Sequence, residues 1–208
     1  MGQETPDSLA NKIVDILKTE SNPEGLFLHP MSKQRQHLCF TGGEPLMITG
    51  QQASVGIYEE LLKQGNLPES MTFETNGTQK LREPFKEWAT GIDQEVFFSC
   101  SPKLFTVSGE QTKKAIIPEV VGEYYQVSNK GQLKFVVGSE QRQWDEMDEA
   151  IEKFRSEGCN WPVWIMPVGA REEEQTATAG DVAKLAFQRG YNVAARVHVY
   201  LFGNAIGT

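Results

Sequence analysis

Short apolar strands alternate with amphipathic helices along most of this chain, and that alternation constrains the fold more than any other feature. A periodic helix is read over about Asp7–Lys18, with Leu9, Ile13, Ile16 and Leu17 on one face and Thr5-Pro6 as its start signal. A strand at His37–Phe40 follows, then a helix over about Gln51–Lys63 that turns Val55, Tyr58, Leu61 and Leu62 inward. The pattern repeats through strand Met71–Phe73, helix Leu81–Trp88, strand Val96–Ser99, strand Leu133–Val137 and helix Trp144–Glu157, which carries Met147, Ile151 and Phe154 at helical spacing. Strand Val163–Met166, helix Thr176–Arg189 and a last strand near Val193–Leu201 complete it. Strands joined through helices need crossovers, and crossovers are right-handed, so the sequence predicts an α/β fold with a largely parallel sheet. The stretch of about 105–131 has no clear period and reads as an insertion over one end of the sheet. No internal repeat or linker divides residues 1–208, which read as one domain.

Composition narrows the function. With 208 residues, 39% hydrophobic and 23% charged, the chain can bury a sizeable core, and no segment has the apolar length of a membrane span. The first residues, Met1-Gly2-Gln3-Glu4-Thr5-Pro6-Asp7, have neither the basic region nor the apolar core of a signal peptide, so a cytoplasmic location is expected. A net charge of -8, from 20 basic and 28 acidic residues, argues against direct nucleic-acid binding and favours a small-molecule ligand. Cys39, Cys100 and Cys159 are too few and too widely spaced for a disulfide framework, and they form no CxxC or CxxxC pair; partly buried thiols are the simplest reading.

Ligands of parallel α/β folds sit at the carboxyl ends of the strands, so the residues after each strand carry the functional signal. The first strand leads into Thr41-Gly42-Gly43-Glu44-Pro45, where two glycines let the backbone turn and approach a ligand, and Glu44 offers an anion to a ligand amine. The next gives Glu74-Thr75-Asn76-Gly77-Thr78, the third Ser101-Pro102-Lys103, and the penultimate one Met166-Pro167-Val168-Gly169 with Arg171 close behind. Each run by itself could be a surface turn or a helix cap. Together, with Glu44 and Glu74 as acceptors and Ser101 and Lys103 as donors, they point to a polar ligand bearing amine and hydroxyl groups. His29, His37 and His198 are scattered, and His198 falls in the predicted last strand, where a hydrogen-bonded core histidine competes with a functional one.

In their order these residues resemble a family of radical S-adenosylmethionine enzymes, the 7-carboxy-7-deazaguanine synthases of queuosine biosynthesis. The resemblance runs through Thr41-Gly42-Gly43-Glu44-Pro45-Leu46, Glu74 to Thr78, Ser101 to Lys103, Leu133 to Val137, Met166 to Glu172 and Arg196 to Asn204. It implies a carbon-nitrogen lyase that converts 6-carboxy-5,6,7,8-tetrahydropterin into 7-carboxy-7-deazaguanine with loss of ammonia, started by a 5'-deoxyadenosyl radical. It further implies that Gly43 and Glu44 hold the methionine amine of S-adenosylmethionine. Ser101, Pro102 and Lys103 line the rest of that cofactor with Met166, Pro167, Val168 and Gly169. Thr41 and Glu74, with His198 and Thr208, belong on the substrate side. A 4Fe-4S cluster, magnesium, a reductant such as flavodoxin and a homodimer also come with the family.

The chain departs from the family in one respect. The CxxxCxxC loop that ligates the cluster is absent, and none of Cys39, Cys100 or Cys159 matches it. The family's magnesium ligand and a substrate-binding arginine lie in the same front segment. A βα barrel opens on a strand and this chain opens on a helix, so the expected fold is a partial βα barrel of the radical type, lacking its first strand and cluster loop, roughly 40 to 55 residues. Activity of this chain alone is therefore in question, and a non-catalytic pterin- or S-adenosylmethionine-binding relative or one part of a split enzyme are the alternatives.

Overall fold

A computed structural model of the protein describes residues 4–169 and 171–202. Its elements are α1 (Pro6–Leu17), β1 (Leu38–Phe40), α2 (Ile48–Lys63), β2 (Ser70–Thr75), α3 (Glu83–Gly91), β3 (Glu95–Cys100), α4 (Phe105–Ser108), α5 (Thr112–Ala115) and α6 (Pro118–Val127), followed by β4 (Gly131–Val137), α7 (Gln141–Ser156), β5 (Val163–Pro167), α8 (Glu172–Gln188), β6 (Asn192–Val193) and α9 (Val197–Phe202). The strands follow the order β1-β2-β3-β4-β5-β6, with parallel pairing in β1/β2, β4/β5 and β5/β6. This is the α/β class that the alternation predicts, and it is compatible with a partial βα barrel.

The chain divides into two compact units, Met1–Thr75 with Gln79–Phe98, and Asn76–Thr78 with Ser99–Thr208. In the first, α1 starts where Thr5 accepts a hydrogen bond from Ser8 N (3.3 Å) and Pro6 occupies the first turn, where its missing N–H costs nothing. Its apolar stripe packs against α2 around Ala10, Phe27, Ile57 and Leu61, with Leu9, Ile13, Val14 and Leu17 at the margin. Ile16 lies off that stripe and is 81% exposed. On α2 the buried positions are Gln51, Ser54, Ile57, Tyr58 and Leu61. The predicted Val55 and Leu62 sit a step further round the helix, and Leu62 is 52% exposed. Phe40 stacks on Phe73 across the β1/β2 pair at 4.9 Å between ring centroids, and Phe85 meets Phe73 edge-on from α3 at 5.3 Å.

In the second unit, β4 alternates buried and half-buried residues along its length, and Leu133, Phe135 and Val137 form the buried set. Helix α7 buries Met147, Ile151 and Phe154 as its periodicity predicts, together with Gln143, Trp144 and Ala150. Gln143 and Trp144 also clasp the end of β4, accepting from Gly138 N (2.6 Å) and donating to Gly138 O (2.9 Å).

Two stretches differ from the sequence reading. The aperiodic residues after β3 hold α4, α5 and α6; the first two have four residues each, too few to display a 3.6-residue period, whereas α6 buries Val120, Val121 and Tyr124. The long last strand is instead the short β6 followed by α9. The ladder ends where Ala194 N donates to Ile165 O, and a turn closed by Val199 N on Arg196 O opens α9. Valine and tyrosine content is a weak guide there, because strand preference mostly reports packing that the local sequence does not contain.

Candidate functional site

In the first unit the turn after β1 is built from its glycines outward. Gly42 and Gly43 take φ of +85° and +57°, the left-handed region that a Cβ disfavours, and a Cβ added to either would meet no atom within 4 Å. The glycines are therefore required by conformation, and the space in front of them is open. Pro45 is held from behind, since α2 approaches so closely that a Cβ on Gly50 would lie 2.1 Å from Pro45 O.

Two hydroxyl–carboxylate bonds tie this turn to β2. Thr41 Oγ1 donates to Glu74 Oε2 at 2.9 Å, and Thr75 Oγ1 donates to Glu44 Oε1 at 2.7 Å. Leu46 N reaches the same Glu44 oxygen at 3.1 Å. Successive strand residues point to opposite faces, and Glu74 is exposed while Thr75 is 3% exposed, so the turn straddles the end of β2 and is held on both sides. Thr41, Glu44 and Glu74 thus come together. Glu74 and Thr75 belong to the strand itself, which runs beyond its predicted end at Phe73.

A groove of about 270 Å³ between α2 and α3 lies elsewhere in this unit, lined by Ile48, Gln51, Val55, Arg82 and Phe85 among others. Gln51, one of its lining residues, is a structural tie, donating to Leu46 O (2.6 Å) and Lys80 O (3.0 Å) and accepting from Arg82 N (2.8 Å). No residue singled out by the sequence reading as a site residue lines it.

In the second unit Asn76 folds its own loop, with Oδ1 accepting from Thr78 N (3.0 Å) and Thr78 Oγ1 (2.6 Å). Gly77 (φ +80°) is packed so tightly that a Cβ would sit 2.8 Å from Cys100 Sγ. Ser101 is half-buried, Pro102 buried and Lys103 exposed, directly ahead of α4. Glu146 of α7 secures α4 and α5, accepting from Phe105 N (2.8 Å), Thr106 N (2.9 Å), Thr106 Oγ1 (2.6 Å) and Thr112 Oγ1 (3.4 Å). Burial alone would raise the Glu146 carboxyl, yet these hydrogen bonds to its charged form outweigh burial and hold it below the ordinary carboxylate value.

Strand β5 ends at Pro167, one residue beyond the predicted Met166, and Val168 N extends the ladder by bonding Val137 O at 2.9 Å. Gly169 has φ of +141°. Arg196 Nε donates to Met166 Sδ at 3.3 Å. His198 lies in α9 and not in a strand; its side chain and Thr208 lie outside the described residues.

Comparison with known proteins places this geometry in context. The chain is 28% identical over 187 residues to a 7-carboxy-7-deazaguanine synthase of Rhodopirellula baltica, a match that covers 83% of this chain and 64% of that protein. The chain is similar to that synthase over most of its own length. It spans under two thirds of that synthase's length. No family model and no solved structure matches it.

The described residues contain no group of three His, Cys, Asp or Glu side chains placed to hold a metal ion. Cys39 is exposed while Cys100 and Cys159 are buried, and burial pushes the Cys159 thiol above its ordinary value. These residues therefore do not fit a 4Fe-4S cluster. The Glu44 carboxylate, oriented by Thr75 Oγ1 and Leu46 N, has the chemistry to accept from an amine-bearing ligand. No described helix is long and apolar enough to cross a membrane.

Three residues of these sites had no assigned role in the sequence reading. Thr75 sits inside the Glu74-to-Thr78 run, where β2's alternation, followed two residues further, marks it as the inward neighbour of Glu74. Glu146 carries no sequence signal, being a half-buried acid on an amphipathic helix. Arg196 heads the run that ends the resemblance.

Proposed function

We propose that this chain serves the synthesis of 7-carboxy-7-deazaguanine, binding S-adenosylmethionine and 6-carboxy-5,6,7,8-tetrahydropterin for a ring contraction that releases ammonia. The observation that carries the reading is the Glu44 carboxylate, fixed by Thr75 Oγ1 and Leu46 N directly after a double-glycine turn where a Cβ on either glycine would meet no atom within 4 Å. A carboxylate held in one orientation meets an ammonium group without the entropy of ordering itself at the moment of binding. The order of the matching runs and the likeness to the Rhodopirellula synthase support the same reading.

When bound, S-adenosylmethionine supplies the adenosyl group from which the radical chemistry of such synthases starts. The work of this chain is to bind and orient. Glu44 receives the methionine ammonium, with Gly43 permitting its approach. Thr41, its hydroxyl hydrogen given to Glu74, turns its oxygen lone pairs towards the substrate side as an acceptor. Ser101, Pro102 and Lys103 and the segment Met166 to Gly169 serve the rest of the cofactor. The net charge of -8 agrees with a small-molecule substrate.

Calorimetric titration of the purified chain with S-adenosylmethionine tests this. Glu44→Gln is expected to weaken binding by about 1.5–3 kcal/mol, the range of a hydrogen bond to a charged group. Equal affinity of variant and wild type removes Glu44 from the site, and failure of the wild type to bind either S-adenosylmethionine or the pterin refutes the function.

A further inference from the structure

The two faces of the β4/β5 pair differ in kind. Leu133, Phe135 and Val137 of β4 and Val163 and Ile165 of β5 are buried on one face. On the other, half-buried face the register sets Lys134 beside Trp164 and Val136 beside Met166, with Gln132 one pleat earlier donating to Ser99 Oγ at 2.9 Å. Neither strand contributes an Asp or Glu.

Arg196 lies over this face, because its Nε donates to the Met166 sulfur at 3.3 Å. A thioether is a weak, uncharged acceptor, and Arg196 forms no ion pair with a carboxylate among the described residues. The chain has 28 acidic residues against 20 basic ones, so this is no shortage of acids. A guanidinium removed in part from water and left on a sulfur atom has donors in a planar fork still to satisfy, and that fork matches a carboxylate.

We infer that Arg196 is a binding residue for a ligand carboxylate, received on the half-buried face of β4 and β5 above Met166. The inference rests on the proposed function, in which Met166 lines the ligand site and both ligands carry a carboxylate. Nothing in that reading had given Arg196 a role.

Four ligands test it on the full chain: S-adenosylmethionine and its decarboxylated form, and 6-carboxypterin and pterin without the carboxyl. In the wild type, removing the carboxylate from one of the two ligands should weaken binding about ten- to a hundredfold, the worth of a charge-assisted pair. In Arg196→Gln that ratio should collapse to near one while the other ligand's ratio stays put, and Arg196→Lys should fall between. The ligand whose ratio collapses identifies the carboxylate. A wild type indifferent to both carboxylates, or a variant as discriminating as the wild type, overturns the assignment of Arg196 and leaves the proposed function standing. A folded wild type that binds none of the four overturns both. Should Arg196→Gln fail to fold by circular dichroism, modification of wild-type Arg196 by phenylglyoxal, mapped by mass spectrometry, decides instead. Protection by a carboxylated ligand and not by its decarboxylated partner supports the assignment, and equal modification with both overturns it.

Discussion

Replacing Thr75 by Val deletes the hydroxyl that donates to Glu44 Oε1 over 2.7 Å and keeps the branched shape of the side chain. Thr75 is 3% exposed, so water cannot stand in for the hydroxyl at its own position, whereas the half-buried Glu44 can recover part of its solvation. A hydrogen bond to an ionised group is worth about 1.5–3 kcal/mol, and solvent access to Glu44 puts the loss near the lower bound, about 1.5–2 kcal/mol of unfolding free energy. In a Glu44→Gln background the same bond is between neutral groups and worth about 1 kcal/mol, so Thr75→Val should cost about 0.5–1 kcal/mol less there. Urea unfolding followed by circular dichroism on wild type, both single variants and the double variant measures that difference, with Thr75→Ser restoring the hydroxyl as a control. Costs that add to within about 0.3 kcal/mol would mean that Thr75 and Glu44 are not coupled, and the orientation of the carboxylate by β2 would have to be abandoned.

The glycines and Glu146 give two further contrasts. Gly42→Ala should cost about 1–2 kcal/mol through conformation alone, because its φ is +85° and its surroundings are open, whereas Gly50→Ala must move Pro45 and should cost more. Equal losses in thermal melts would contradict this division. Glu146, held below the ordinary value of 4.5, contributes stability that is present above that value and is lost as pH falls through its lower folded value. The melting temperature should therefore drop on acidification below about pH 4.5, and less steeply in Glu146→Gln; parallel profiles would show that its four hydrogen bonds do not favour the charged form.

Much of the fold was legible because hydrophobic period is a local property. The stripe of α1, the helix α7 with Met147, Ile151 and Phe154 buried, and the strands around Phe73, Phe98 and Phe135 all follow from spacing alone. The misreadings occur where spacing is uninformative. Ile16 and Leu62 are apolar but a step out of phase with the packed face, α4 and α5 are too short to show a period, and α9 carries strand-forming residues. The candidate site divides in the same manner. Thr41, Glu44 and Glu74 were visible as polar residues near strand ends, but their mutual bonds were not, since Thr41 and Glu74 are far apart in the chain and meet only when β1 pairs with β2.

By itself the sequence determined the alternation that produces parallel strands, the two glycines that permit a left-handed turn, and an acid placed immediately after them. Tertiary structure alone decided what that acid does. The register of β1 on β2 brings Thr75 to Glu44 and Glu74 to Thr41, turning a mobile surface carboxylate into an oriented one, and the ladder from β4 to β6 brings Arg196 to Met166. The physical reason is common to both: a hydrogen bond depends on separations of about 3 Å in space, which strand pairing sets and residue spacing along the chain does not encode.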